Sequence, residues 1–211
     1  MKTLSDLIDE KAKKLFKSQN PDIEQKSVDI FKEELSIRIG TRIPKRYKDS
    51  DIDDSFLIEK IMESLTNKKG IYFYGSAGTG KTHILYALLK RARIIGMEVE
   101  MWNLPEKLSE LKSFYSNNDR GQLGESSITD EIKTTSILFI DDFGAEKVTE
   151  WNGEIMYRLI NHRYENMMQT FFASNLSLQE LSEKSGDRVV SRIAEMCDII
   201  NIDGEDKRLK K

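Results

Sequence analysis

The sequence predicts an α/β fold: a five-stranded parallel sheet with helices on both faces, preceded by a short helical appendage. Three observations carry this. Short apolar runs recur at 71–74, 99–102, 136–140, 170–173 and 199–202, and amphipathic stretches with helical spacing separate them. A glycine-rich turn, "GSAGTGK", stands between the first run and the helix after it. Strands that alternate with helices pair in parallel, because a crossover helix is what brings each strand back in the same direction.

Taken in order, the first forty residues differ from the rest. Thr3-Leu4-Ser5-Asp6 makes a capping-box-like start, and Leu4, Leu7, Ile8, Leu15 and Phe16 then share one helical face. Asp6, Asp9 and Glu10 lie toward the start of that helix and Lys13, Lys14 and Lys17 toward its end, as the helix dipole favours. Asn20-Pro21 closes it and opens a second stripe of Ile23, Ile30, Phe31 and Leu35. Two short amphipathic helices bury little on each other, so they either pack on the main body or await a partner. This puts a domain boundary after residue 40, with an appendage at 1–40 and the main domain at 41–211.

After the connecting segment "GTRIPKRY" the alternation begins. The strand at 71–74 leads into a helix over 81–95 with Ile84, Leu85, Leu88 and Leu89 facing inward. The strand at 99–102 is followed by a helix through Leu104, Leu108 and Leu111, then by a polar loop at 116–127. A third strand at 136–140, a helix over 148–166 and a fourth strand at 170–173 follow. Helical spacing over 178–196 and a fifth strand at 199–202 complete the pattern.

Composition narrows the classes. Charged residues make up 33% of the chain and hydrophobic ones 38%, as in ordinary globular proteins. A formal net charge of -3 gives no global attraction to nucleic acid, so any such contact must be local. One cysteine, Cys197, excludes an internal disulfide and a cysteine-cluster zinc site, and is expected to be a small buried residue. The longest central apolar run, Ile137-Leu138-Phe139-Ile140, is far too short to cross a membrane. The N-terminus is charged and lacks an apolar signal core. A cytoplasmic protein without a membrane partner is expected.

The chemistry concentrates in two motifs. Gly75-Ser76-Ala77-Gly78-Thr79-Gly80-Lys81-Thr82 sits between a strand and a helix, the context a phosphate-binding loop needs. Its glycines let backbone amides turn toward phosphates at the positive end of the helix. Lys81 would reach the outer phosphates and the Thr82 hydroxyl would ligate Mg2+. His83, next along, is expected beside the loop on the helix surface. The second motif, Ile137 to Gly144, is a buried strand closed by Asp141 and Asp142. Asp141 would hold the magnesium through water, and Asp142 would polarise an attacking water. The strand at 99–102 falls between the two motifs, which by fold analogy marks the additional-strand class of P-loop ATPases rather than simple kinases. Asn175, closing the fourth strand, is placed to reach that water or the γ-phosphate.

These motifs, with "IPKRY", "TFFASN", "GDRVVSRI" and "INIDGEDKRLK" in order around them, resemble the DnaC/DnaI-type helicase loaders of the AAA+ class and the related IstB-type transposition ATPases. The resemblance covers about residues 40–211. It implies an AAA+ P-loop core that binds ATP and ADP with Mg2+. Asn175 matches the sensor-1 residue, Arg208 a sensor-2-like arginine in the nucleotide site, and Arg192 an arginine finger that completes a neighbouring subunit's site. Because the chain ends eight residues after Asp203, no helical lid is expected. Asp142 stands where many AAA+ proteins have glutamate; its shorter reach implies slow turnover.

The resemblance also implies partners. These are a replicative DnaB-type helicase hexamer held by residues 1–40, single-stranded DNA, and further copies of the chain through the ATPase domain. Lys112, Phe114 and Tyr115 in "LKSFYSNND" are the single-stranded DNA candidates, through phosphate contact and base stacking. Arg158 and Arg163 are further ones. Packing of Phe114 and Tyr115 into the core is the alternative. An IstB-like helper acting on duplex DNA and a P-loop small-molecule kinase are the competing functions.

Overall fold

The computed structural model describes residues 4–15, 25, 27–30, 33–34, 42–117 and 135–209. Five strands form one sheet: β1 (Gly70–Tyr74), β2 (Val99–Asn103), β3 (Ile137–Phe143), β4 (Thr170–Ser174) and β5 (Cys197–Asn201), in the order β2-β3-β4-β1-β5. All neighbouring strands run parallel. Consecutive residues of β1, Ile71, Tyr72 and Phe73, are all fully buried, which only a sheet covered on both faces allows.

The alternation of side chains divides the core into two layers. Ile71, Phe73, Phe139 and Phe171 meet helices α2 (Ser55–Thr66) and α3 (Lys81–Ile94) on one face. Tyr72, Leu138, Ile140 and Phe172 meet α4 (Leu104–Asn117), α5 (Glu150–Glu165), α6 (Leu178–Ser185) and α7 (Asp187–Met196) on the other. Helix α2 is absent from the sequence reading above, although Asp54 caps it by accepting from the Phe56 and Leu57 amides, and Leu57 and Ile61 are buried. The stretch read as helical over 178–196 is two helices. Gly186, at φ 84, takes a left-handed turn between them that few other residues adopt. Strand β5 begins at Cys197, earlier than expected, and that cysteine is buried as anticipated.

An appendage helix, α1 (Leu4–Leu15), lies against α3. Ala12 is fully buried there, and Lys11 Nζ donates to the Ile94 carbonyl at the C-terminal end of α3. This is packing on the main body, one of the two arrangements expected. Leu15 is 57% exposed, so the packing face does not extend to the helix end as its spacing predicted. Ile30 is exposed, whereas Phe16, Ile23, Phe31 and Leu35 lie outside the described residues. The lead-in over 42–54 crosses α3 as well. Lys90 Nζ donates to the Lys48 carbonyl at 2.7 Å, Arg91 pairs with Asp51, and Tyr47 stacks on Tyr86 with ring centroids 4.5 Å apart. Among the described residues, no helix is long and apolar enough to cross a membrane.

In space it is β4 that separates the phosphate-loop strand β1 from the acid strand β3, while β2 takes the edge beyond β3. Arg163 on α5 fastens this arrangement from below. Its side chain is 0% exposed and donates to Thr170 Oγ1 (2.7 Å) and to the carbonyls of Thr135 (3.0 Å), Ser136 (3.3 Å) and Gln169 (2.8 Å). The guanidinium therefore ties the entry to β3 to the entry to β4. Burial lowers its pKa to about 10, which leaves it protonated at neutral pH. A planar fork of five donors suits four divergent acceptors, and a lysine ammonium does not. Arg163→Met leaves the Thr135 and Ser136 carbonyls without this donor, whereas the Gln169 carbonyl keeps the Leu138 amide; at about 1–3 kcal/mol for each of the two, a loss of roughly 2–6 kcal/mol is expected in urea unfolding. Arg163→Lys should recover only part of it, and wild-type stability in either variant would contradict the clamp.

Candidate nucleotide site

The site grows from the C-terminal ends of β1, β3 and β4. Between β1 and α3 the chain turns through Gly75, where a Cβ would stand 2.4 Å from the Ile202 carbonyl oxygen, so only glycine fits. Gly80 enters α3 at φ 108, which lets the loop amides turn inward before the first helical turn. Lys81 Nζ folds back on this loop, donating to the Gly75 and Ser76 carbonyls at 2.7 Å each, and Thr79 Oγ1 donates to the Ser76 carbonyl at 3.1 Å. Lys81 is buried, and burial lowers its pKa. The ammonium is thus held at the loop by weak carbonyl acceptors that an anionic ligand can replace.

The acids are aimed by an irregularity in the sheet. Ile140 pairs with Phe172 and Phe143 with Ser174, so β3 carries one residue more than β4 across this step. Asp141 is buried there and accepts from Thr82 Oγ1 at 3.1 Å. Burial, then the charge of Asp142, pushes its pKa up to about 6, against the Thr82 hydrogen bond. Asp142 is exposed, in the left-handed region at φ 53, and its carboxylate accepts from Asn103 Nδ2 at 2.8 Å. Asn103 sits opposite Asp141 at the end of β2, and its side-chain Oδ1 accepts the Glu106 amide at 3.3 Å.

A hydroxyl bonded to a buried acid beside a second acid fits a magnesium ion, which would supply positive charge to bound phosphates. Among the described residues no group of three or more His, Cys, Asp or Glu could hold a metal by itself. That suits Mg2+, which takes few protein ligands and completes its shell with phosphate and water.

Loop and acids form the floor of a cleft of about 770 Å³. Ala77, Gly78, Thr79, Gly80, Lys81, Thr82, Asp141, Asp142 and Asn175 all line it, so the two sequence motifs and the polar end of β4 meet in one place. His83 lines it too, edge-on to Tyr47 with centroids 4.8 Å apart; burial, helped by nearby cations, lowers its pKa and favours the neutral ring. Arg208 is exposed at the rim and bonded to the Asp206 carboxylate at 2.8–3.2 Å, while the Lys207 amide donates to the Gly78 carbonyl at 3.0 Å. The sequence reading missed Arg46, Tyr47, Phe56 and Lys60, which also line the cleft, and Asn103. For Asn103 the available signal was an asparagine just before a helix, which reads as a cap and not as a partner of Asp142.

Other expected residues lie elsewhere. Arg192 is on α7, outside the cleft, against Tyr157 and Tyr164 of α5. Arg163 is corrected from a DNA candidate to a core clamp, since a guanidinium with no exposure and four internal acceptors cannot meet a phosphate. Lys112 is exposed on α4 and Arg158 on α5. The side chains of Phe114 and Tyr115 lie outside what the structure describes.

A family model for IstB-like ATP binding proteins matches residues 49–211. The replicative helicase loader DnaI of Bacillus subtilis (strain 168) is 33% identical over 153 residues, 66% of this chain and 48% of DnaI. The replicative helicase loader DnaC of Escherichia coli (strain K12) is 22% identical over 127 residues, 60% of this chain and 51% of DnaC. The chain thus spans about half the length of the curated relatives it matches. A crystal structure of the DnaC helicase loader aligns with a TM-score of 0.63 at 25% identity, covering 76% of this chain and 100% of that one. The replication initiator DnaA bound to AMPPCP and single-stranded DNA aligns with a TM-score of 0.63 at 22% identity, covering 79% of this chain and 52% of that one. The DnaA likeness is one of fold, and the fold is that of AAA+ P-loop ATPase domains.

The raised pKa of Asp141 has a consequence for stability. Its folded value of about 6 exceeds the unfolded one, so between about pH 4 and pH 6 the native state binds more protons and its stability falls as pH rises. Above that window the ionised carboxylate destabilises the ligand-free fold. Asp141→Asn is therefore expected to raise the thermal midpoint near pH 7.5 by several degrees without nucleotide or magnesium. That gain should shrink progressively toward about pH 4. A variant less stable than wild type near pH 7.5 would contradict the assignment.

Proposed function

The chain belongs to the family of IstB-like ATP binding proteins, and on that premise we propose that it is an ATP-dependent loader of a replicative, DnaB-type helicase hexamer. It delivers that helicase onto single-stranded DNA at initiation, as a cytoplasmic component of the primosome. Its likeness to DnaI and DnaC, both named replicative helicase loaders, supports this. The observation that supports a site divided between copies is the place of Arg192. One chain provides the phosphate loop, the acids and Asn175 in a single cleft, while Arg192 stands outside it.

In this reading the amides of Gly75 to Thr82 cradle the phosphates of ATP or ADP, and Lys81 leaves the Gly75 and Ser76 carbonyls for the outer phosphates. Thr82 and, through water, Asp141 would hold Mg2+, which would supply positive charge to the phosphates. Asp142 and Asn175 position the attacking water, with Asn103 fixing the Asp142 carboxylate. Arg208 exchanges Asp206 for nucleotide. Arg192 of a second copy approaches the γ-phosphate and stabilises the charge that develops there. Hydrolysis is therefore slow in the monomer and rises on assembly. Residues 1–40 bind the helicase, and Lys112, Phe114 and Tyr115 meet single-stranded DNA.

Membership among IstB-like ATP binding proteins is equally compatible with the other reading, an IstB-like transposition helper acting on duplex DNA. A small-molecule kinase is disfavoured by β4 lying between the two motif strands. Co-purification from native cells is expected to recover a hexameric helicase; recovery of a transposase instead would favour the helper.

Lys81→Ala is expected to lose nucleotide binding in an equilibrium titration with a fluorescent ATP analogue. Arg192→Ala should bind the analogue as wild type does, yet lose assembly-stimulated hydrolysis by about 100-fold or more. Undiminished turnover would refute the trans role.

A further inference from the structure

Arg192 is not a free surface arginine. Val189 and Ile193 anchor α7 in the core, and the side chain between them in sequence lies along the seam with α5. Its guanidinium carbon is 5.2 Å from the ring centroid of Tyr157 and 5.6 Å from that of Tyr164, two turns further along α5. One terminal nitrogen donates to the Arg188 carbonyl at 2.9 Å and the other to the Tyr157 hydroxyl at 3.4 Å. The Nε–H is buried and has no acceptor among the described residues. The nearest acid along α7, Glu195, accepts the Tyr164 hydroxyl at 2.7 Å, which holds that ring in place.

We propose that Tyr157 and Tyr164 are positioning residues for Arg192, holding its guanidinium on two aromatic faces ready for an anionic phosphate oxygen brought by a second copy of the chain. A carboxylate partner would fix the guanidinium but cancel its charge, whereas aromatic quadrupoles attract the cation and leave its net charge intact. The rings also restrict the rotamers of a long side chain, which lowers the entropy cost of placing it. The acceptors of its terminal nitrogens, the Arg188 carbonyl and the Tyr157 hydroxyl, are neutral and can be exchanged for an arriving phosphate oxygen. Glu195 is hydrogen-bonded to the Tyr164 hydroxyl.

This rests on the trans role of Arg192, and a mixing experiment separates the two. Copies carrying Lys81→Ala keep Arg192 but hold no nucleotide; copies carrying Arg192→Ala hold nucleotide but offer no arginine. Mixed with helicase hexamer and single-stranded DNA, the two are expected to regain hydrolysis that neither shows alone. Adding Tyr157→Leu and Tyr164→Leu to the Lys81→Ala copy should then lower kcat by roughly 2- to 30-fold with KM for ATP unchanged, the range set by lost cation–π contacts. The same pair added to the Arg192→Ala copy should have no further effect, and Tyr164→Phe, which keeps the ring, should largely restore the rate. Failure of the original mixture to regain hydrolysis overturns the trans reading and this proposal with it. A restored mixture indifferent to the tyrosines, or equally impaired by them on either copy, overturns the proposal alone.

Discussion

The site depends first on where β4 lies. A parallel sheet offers one ligand-binding edge, at the C-terminal ends of its strands, and what that edge can do is decided by which strands are neighbours. Here β4 is hydrogen-bonded to β1 on one side and β3 on the other. The phosphate loop and the acids are therefore held a strand's width apart, with Asn175 between them. That gap is filled because β4 is buried throughout: Phe171, Phe172 and Ala173 are apolar, and the buried polar residues at its two ends, Thr170 and Ser174, are hydrogen-bonded. Its entry is pinned by Arg163 and its exit by the Ser174 hydroxyl, which donates to the Phe143 carbonyl at 2.6 Å. With both ends fixed to β3, the extra residue in β3 has to be absorbed at Asp141-Asp142, where it turns the carboxylates into the cleft.

Stability is surrendered at that same point. Asp141 keeps a carboxylate in a buried place beside a second acid, and Asp142 holds a backbone conformation that residues with side chains seldom adopt. Lys81 is buried on nothing stronger than two carbonyls. These features gather within three neighbouring positions of the cleft floor, Lys81, Asp141 and Asp142. The rigid β-sheet around them, with its fully buried aromatic residues, is what tolerates this local deficit.

The sequence disclosed the parts of the molecule whose logic is local. A phosphate loop is a run of consecutive residues, the acid pair closes its own strand, and alternating apolar runs reveal a parallel sheet. Helix α2 escaped because its apolar positions, Leu57, Ile58, Ile61 and Leu65, sit among charged residues between the connecting segment and β1, where no element was assigned. The break at Gly186 escaped because helical spacing continues across it. Arg163 and Asn103 were beyond reach for a different reason. Nothing in the residues near Arg163 says that Thr135, Gln169 and Thr170 will converge on it, and Asn103 meets Asp142 only through the β2–β3 register. Contacts between distant segments decided both, and a surface reading of Arg163 was the natural error.

The lead-in over 42–54 does two things at once. It is tied to α3 by Lys90, Arg91 and the Tyr47–Tyr86 stack, and through Arg46, Tyr47 and Asp51 to Asp54 it walls the nucleotide cleft. Helix α1 rests on the far end of that same α3. Linkage then imposes a symmetry. If drawing this strap away from α3 weakens the hold on nucleotide by some factor, bound nucleotide must resist its withdrawal by the same factor. Whatever draws this strap off α3 and whatever fills the cleft would then act on one strip of chain.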